Sequence, residues 1–363
     1  WLRTAAYRFR RMSLLDTRSS IHHHRQKQQQ QQQFPMELMA LVGEGIYGKV
    51  YKARWHRRSV DDGDDDDDSM SERICAVKTI KLRDESEGIP ASVLREVGLL
   101  QALHHPNIVE LRGFTVDLKA STIYLVFDFY QQDLARFIDL STGGEGGLED
   151  SLVEHISHGV LEGVAYLHSH KILHRDLKPH NILLNWDCSD IKIADFGLAR
   201  EIGIPTGPLA VDVVTLWYRA PEALLGSTAY GEPLDVWSIG CIILEMLRGK
   251  AFVTGSSPED QICKIFAILG APDDTTWPEA DTLPLWRSHM RLVSRVVPLS
   301  DIVPEEASPA AVSLAGAMLK VCPSHRITCE EGLAAPYFQD HLQDLCSGSS
   351  SSSSSCVDYP TLS

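Results

Sequence analysis

The spacing of apolar residues changes once along this chain. Between Met39 and Phe129 they recur mostly at strand spacing, interrupted by one helical run near 90–103. From Asp133 onward the helical spacing dominates, as in SLVEHISHGVLEGVAYLHSH (151–170). A pattern of period two cannot place its apolar residues on one face of a helix, and the reverse also holds. A strand-rich segment followed by a helix-rich one therefore predicts an α+β chain of two lobes with a cleft between them. The smaller lobe is expected over 38–130 and the larger over 131–342. The longest apolar run, VWSIGCIILEML (236–247), has the length of a buried core helix and falls short of the ~18 residues of a membrane span.

Three segments of biased composition flank or interrupt this pattern. Residues 1–37 carry an Arg-rich opening, His22, His23 and His24, and a glutamine run from Gln28 to Gln33, and are read as a disordered tail. The Arg-rich, acid-poor start also fits a transit peptide, but a solvated tail is the favoured reading. The chain opens on Trp1, so Met12 and Met36 are both candidate starts. The run DDGDDDDD (61–68) lies between the strand-like VYKARW (50–55) and ICAVKTIKL (74–82). Like charges repel and stay hydrated, and the run lacks the ligand spacing of a calcium loop. It is expected as an expanded loop, an insertion over 57–72. The serine-rich end, 343–363, reads as a flexible tail.

The 363 residues carry a formal net charge of −15, which argues against a broad basic surface for nucleic acid. The 8 cysteines show neither a CxxC pair nor zinc-finger spacing. Inert thiols in a reducing, intracellular compartment, nuclear or cytoplasmic, are expected.

Five motifs then follow one another. GEGIYGKV (43–50) is a glycine-rich turn between strand-like runs, suited to bringing backbone N–H groups against a polyphosphate. A tight hairpin gives the same pattern, and the strand that follows argues against a dinucleotide fold. Lys78, in AVK (76–78), lies inside an apolar strand and needs a partner, for which Glu96 on the next helix is suited. HRDLKPHN (174–181) groups Asp176 to accept a hydroxyl proton, Lys178 to stabilise a transferring phosphoryl group and Asn181 to bind a metal ion. DFG (195–197) supplies Asp195 as a second ligand for Mg²⁺, and APE (220–222) closes the segment that DFG opens. Each motif alone has a bland structural explanation; five in this order are the protein-kinase signature set.

The chain thus resembles eukaryotic protein kinases over roughly 38–340. Within them it resembles the cyclin-dependent kinases of the CMGC group, on EGIPASVLRE (87–96), HPNIVEL (105–111), LVFDFYQQDL (125–134), DFGLAR (195–200), VVTLWYRAPEALLG (213–226) and DVWSIGCIILEM (235–246). The resemblance implies a bilobal kinase fold and the cofactors ATP and Mg²⁺. Gly43, Glu44, Gly45, Gly48 and Val50 would cover ATP. Ala76, Phe127 and Leu183 would line the adenine pocket, Asp128, Phe129 and Tyr130 would form the hinge, and Asp133 would sit at the ribose edge. Lys78 would hold phosphates and pair with Glu96. Asp176 would be the catalytic base, with Lys178 beside it and Thr215 hydrogen-bonding both. Asn181 and Asp195 would ligate Mg²⁺. Asp235 would anchor the catalytic loop, and Arg326 would pair with Glu222.

The same resemblance implies transfer to Ser or Thr. Val214 and Arg219 would shape a pocket for a following proline, which has no N–H to leave unpaired there. Protein substrates with Ser/Thr-Pro sites and a cyclin-like subunit on the helix around 89–103 are the implied partners, with no nucleic acid and no membrane. The sequence also departs from the family. The helix reads PASVLRE where the reference is PSTAIRE, Ile46 stands where many relatives carry a phosphorylatable threonine beside the retained Tyr47, and Ala210 stands at the activating threonine. Arg95, Arg175 and Arg200, which grip that phosphate in the family, are present. Two further readings remain: a partner-independent kinase that activates other cyclin-dependent kinases, and a pseudokinase scaffold. Lys78, Asp176 and Asp195 all argue against the second.

Overall fold

A computed structural model describes residues 36–45, 48–57, 71–82, 91–117, 120–144, 146–202, 216–287 and 297–339. The basic and glutamine-rich segment, the acidic run, the serine run, Ile46, Tyr47, Ala210, Asp212, Val214 and Thr215 lie outside the described residues.

The first lobe is an antiparallel sheet. Strands β1 (Met36–Gly45), β2 (Gly48–Arg57), β3 (Ser71–Lys81), β4 (Leu111–Asp117) and β5 (Thr122–Asp128) stand in the order β1-β2-β3-β5-β4. β1 begins at Met36, so Met36 and Glu37, read from sequence as tail, pair with Trp55 and Arg54. Glu37 also accepts a hydrogen bond from Arg54 Nη1 at 3.0 Å. On β3, Cys75 and Val77 are buried on one face beside Ala53 and Val126, and Ile80 is buried on the other beside Ile123 and Leu125, so both faces of the strand are covered. Helix α1 (Ala91–Ala102) lays Val93 and Val97 against Ile80, Ile123 and Leu125. Glu96 is thereby turned to the same side as this apolar stripe and is 4% exposed.

β5 leads through Phe129–Gln131 into the short β6 (Gln132–Asp133) and the second lobe. There α2 (Leu134–Thr142), α3 (Asp150–Ser169) and α5 (Pro233–Arg248) carry the core, with α4 (Pro221–Leu224) before α5 and α6 (Pro258–Leu269), α7 (Pro309–Met318) and α8 (Cys329–Leu333) after it. Every residue of α5 from Leu234 to Leu247 is buried. Burying one large apolar side chain contributes roughly 1.5–3 kcal/mol, so this helix is the lobe's main anchor. Proline opens α4, α5, α6 and α7, where its missing N–H costs nothing. Gly249 ends α5 at φ 70° and returns its N–H to Glu245 O, a left-handed stop that favours glycine.

A three-stranded sheet in the order β6-β8-β9, with β8 at Ile182–Leu184 and β9 at Ile191–Ile193, lies where the lobes join. The two-residue strands β7 (Ile172–Leu173) and β10 (Arg200–Glu201) pair beside it. The whole is a bilobal α+β fold with a sheet-based first lobe and a helical second one. Among the described residues no helix is long and apolar enough to cross a membrane.

Candidate active site

The site is assembled where the loop after β7 meets the end of β9. α5 fixes that loop from below. Asp235, fully buried, accepts hydrogen bonds from the backbone N–H of His174 at 2.9 Å and of Arg175 at 2.8 Å. The ring Nε2 of His168 donates to it at 3.0 Å. Burial alone would raise the Asp235 carboxyl; these hydrogen bonds and the nearby histidines outweigh it and hold the group below the usual carboxylate range. Arg175 sits at φ 68°, a left-handed backbone that costs a bulky residue energy and persists because both flanking amides are tied down.

His174 then links the two halves of the site. Its Nε2–H donates to Ala194 O at 3.0 Å, and its Nδ1 accepts the Asp176 N–H at 3.3 Å. One neutral tautomer satisfies both contacts. The Phe196 ring meets the imidazole edge-on at 5.1 Å. Asn181 closes the loop by donating Nδ2 to Asp176 O at 2.7 Å and to Asp176 Oδ2 at 3.2 Å, while its own C=O receives the Ala194 N–H at 2.9 Å. Lys178 Nζ lies 2.8 Å from the same Oδ2. The other carboxylate oxygen, Asp176 Oδ1, is buried and has no partner among the described residues. An unpaired buried acceptor is costly, and Thr215, expected beside Asp176, lies outside the described residues.

Opposite stands Lys78. β3 places it level with Val50 on one side and Leu125 on the other. Its Nζ is 2.7 Å from Glu96 Oε1 and 2.9 Å from Asp195 Oδ1. Burial would lower its pKa; the carboxylates of Asp195 and Glu96 reverse that and raise it, so it stays charged. Burial would raise Asp195, and Lys78, with His174 and Lys178 adding to it, holds it down as a carboxylate. Asp195 adopts φ 63°, the second left-handed non-glycine residue of the site, and its side chain is 37% exposed to the cleft.

The sequence-predicted residues fall around this centre. Gly43, Glu44 and Gly45 pair with Val50, Lys49 and Gly48 across the β1–β2 hairpin. Gly48 has φ 149°, and a Cβ there would stand 2.0 Å from Thr79 O, so only glycine fits. Ala76 pairs with Phe127 on the strand that ends at Asp128, and Leu183 pairs with Asp133 and Lys192. Asp133 caps α2 by accepting the Arg136 N–H at 2.9 Å, a helix-start function beyond the ribose-edge assignment. Phe129 and Tyr130 follow Asp128 in the crossing between lobes. Arg219 is buried at the start of α4, where burial lowers its pKa and Tyr230 and Asp176 oppose that. Thr215 and Val214 are outside the described residues.

Arg175 in the loop feels the like charges of Arg200 on β10 and of Arg95 on α1. Burial pulls the Arg175 guanidinium down to about 10, with the charges of Arg200 and Arg95 contributing.

Sequence reasoning passed over His168 and the positioning part of His174. His168 lies one turn beyond Val164, itself one turn beyond Val160, on the buried face of α3. A histidine at a core position of a helix was the available signal. The side chains around the hinge left no signal of that kind.

The donor set fits a nucleotide phosphate and a divalent cation. One retained cation faces two acidic groups of the cleft, a carboxamide comes from the turn before β8 and a carboxylate from the residues just after β9, and among the described residues one oxygen of Asp176 has no partner. Among the described residues no cluster of His, Cys, Asp and Glu makes a separate metal site. A family model, the protein kinase domain, matches residues 36–338.

Proposed function

The chain belongs to the protein kinase domain family, and from that premise we propose that it is a cyclin-dependent-kinase-like protein kinase transferring the γ-phosphoryl of Mg·ATP to Ser or Thr followed by Pro. A protein kinase is a phosphotransferase that uses ATP. The single observation that carries activity, as opposed to a scaffold, is the assembled Lys78–Glu96–Asp195 set beside Asp176, whose Oδ2 is held by Lys178 and Asn181.

The chain's own groups divide the work. Lys78 keeps its charge for the phosphates because two carboxylates hold the proton on it. Glu96 fixes the direction of that lysine from α1. Asp176 orients the acceptor hydroxyl and accepts its proton as the oxygen attacks the γ-phosphorus, while Lys178 and Asn181 hold Oδ2 and limit rotation of the carboxylate. Asn181 and Asp195 are the residues that would hold Mg²⁺. The bound cation supplies charge neutralisation on the phosphates; the protein supplies positioning, which is most of what phosphoryl transfer needs.

Support for the finer reading comes from sequence. The DLKPHN loop resembles Ser/Thr kinases, Arg219 belongs to the proline-pocket pair, and EGIPASVLRE resembles a cyclin-contacting helix. The test is radiolabelled phosphate transfer from ATP to a library of Ser/Thr-Pro peptides and matched peptides without the proline, with Asp176→Asn as control. Transfer to the proline set alone, lost in the control, is expected. Transfer to tyrosine peptides, or equal use of both sets, overturns the corresponding part.

A further inference from the structure

Asp128, the last residue of β5, and the first two residues of the crossing, Phe129 and Tyr130, are each held through a side chain. Asp128, at the end of β5, accepts from Arg112 of β4 through Nε at 2.8 Å and Nη2 at 2.5 Å, with Arg73 of β3 at 3.4 Å. Phe129 lies under Lys52 of β2, with Nζ 5.0 Å from the ring centroid, a cation–π distance. Tyr130 is held from the other lobe: its hydroxyl donates to Asp190 Oδ2 at 2.9 Å. Asp128 and Phe129 are therefore tied to the sheet, and Tyr130 alone is tied to the lobe below.

Asp190 is itself fixed. Its N–H donates to Asn185 Oδ1 at 2.9 Å, and its other oxygen lies 3.2 Å from Lys192 Nζ. It immediately precedes β9, the strand that runs on to Asp195. A hydrogen bond between Tyr130 and Asp190 thus joins the crossing segment to the strand that delivers a phosphate-side carboxylate. Burial and the Asp190 carboxylate both raise the Tyr130 pKa, so the hydroxyl keeps the proton it donates.

We propose that the Tyr130–Asp190 hydrogen bond is a latch that sets the nucleotide affinity of this protein by fixing the adenine-facing backbone of the crossing segment relative to β9. Tyr130 and Asp190 are positioning residues; neither side chain is spent on the nucleotide. The proposal rests on the ATP-dependent reading above. A free crossing segment must be ordered when adenine binds, and a latched one has lost that freedom beforehand.

The test compares Tyr130→Phe, Asp190→Ala, Asp190→Asn and the Tyr130→Phe/Asp190→Ala double variant with wild type. Binding of adenosine and of ADP is measured by calorimetry, ATP kinetics with a protein substrate, and melting temperature as a control on folding. A hydrogen bond of ordinary net strength corresponds to about a three- to tenfold change in affinity. Tyr130→Phe is expected to weaken adenosine and ADP by the same factor in that range and to raise the ATP KM accordingly with kcat unchanged. Asp190→Asn retains an acceptor oxygen and is expected to stay near wild type. The double variant is expected to be no weaker than either single one. Unchanged adenosine affinity in Tyr130→Phe, or losses that add in the double variant, overturns the latch. A wild-type chain that binds adenosine but moves no phosphate overturns the transferase reading and leaves the latch measurable; one that binds no adenosine overturns both.

Discussion

Glu222 and Arg326 stand 104 positions apart and meet as a bidentate pair, both carboxylate oxygens 2.7 Å from a guanidinium nitrogen. The Arg326 side chain is wholly buried. It also donates to Pro233 O at 2.8 Å, Lys320 O at 2.8 Å and Val321 O at 3.1 Å, and its guanidinium lies over the Trp237 ring at 5.0 Å. One residue therefore joins α4, the start of α5 and the turn before α8.

Removing one partner of such a pair leaves a buried charge without compensation. Arg326→Ala is expected to cost about 3–5 kcal/mol, read as a lower denaturant midpoint. Glu222→Gln is expected to cost less, because the amide oxygen still accepts from the guanidinium. A loss below about 1 kcal/mol in Arg326→Ala, the range of an exposed pair, would contradict the structural weight given to it.

A second buried acid gives a pH dependence. Glu245 accepts the Tyr218 hydroxyl at 2.6 Å in the interior of α5. Burial pushes its carboxyl up to about 7; Tyr218 opposes this, Asp139 adds to it and Arg248 opposes it. The folded pKa exceeds the unfolded one, so the folded protein binds the extra proton. The contribution to stability is full below about 4.5 and is lost as pH rises through about 7. Glu245→Gln removes the titration while leaving an oxygen for Tyr218. Relative to wild type, the variant is expected to gain roughly 3 kcal/mol between pH 4.5 and pH 8, measured by urea unfolding across that range. A stability difference that is flat with pH would show that Glu245 does not titrate as described.

Much of this architecture was legible because the sequence is locally consistent. Strand spacing and helical spacing each fall on the correct lobe, and α3 and α5 are found at 150–169 and 233–248, within three residues of the expected 151–170 and 236–247. Lys78, Glu96, Asp176, Asn181 and Asp195 could be singled out because each sits in a short motif. What escaped is contact between residues that share no motif. Tyr130 and Asp190 lie 60 positions apart, and neither spacing nor composition announces that a tyrosine hydroxyl reaches a turn carboxylate. Met36 and Glu37 read as tail in the sequence because two residues beside a glutamine run carry no period of their own; pairing with Trp55 and Arg54 decides their place.

The cleft predicts a pair of outcomes with opposite controls. Lys78→Met removes the cation between Glu96 and Asp195, and Asp195→Asn removes an acid that is 37% exposed to the cleft. Lys78→Met leaves Glu96, 4% exposed, without its cation and is expected to lower the melting temperature, whereas Asp195→Asn, on a side chain open to the cleft, is expected to stay close to wild type; in both, phosphoryl transfer is expected to fall below about a tenth, a barrier increase of at least ~1.4 kcal/mol. Activity above that level in either variant contradicts the role assigned to the residue.

Activation is where the sequence departs most from the cyclin-dependent-kinase pattern it resembles. Ala210 has no hydroxyl to phosphorylate, yet Arg95, Arg175 and Arg200 remain, and the low Arg175 pKa of about 10 reports burial together with the like charges of the other two. Clustered guanidinium groups favour an anion. In sequence, Asp212 is the fixed acid nearest Ala210, and a carboxylate carries less charge than the phosphate it would replace. The expected result is an enzyme whose activity survives phosphatase treatment and falls in Asp212→Ala. Thr206, the remaining hydroxyl between Arg200 and Ala210, supplies the competing route. A phosphatase that silences an active preparation, with mass spectrometry placing the lost phosphate on Thr206, would sink this account. Unchanged activity in Asp212→Ala would remove only the part given to that carboxylate and leave a partner's acidic side chain to meet the three arginines.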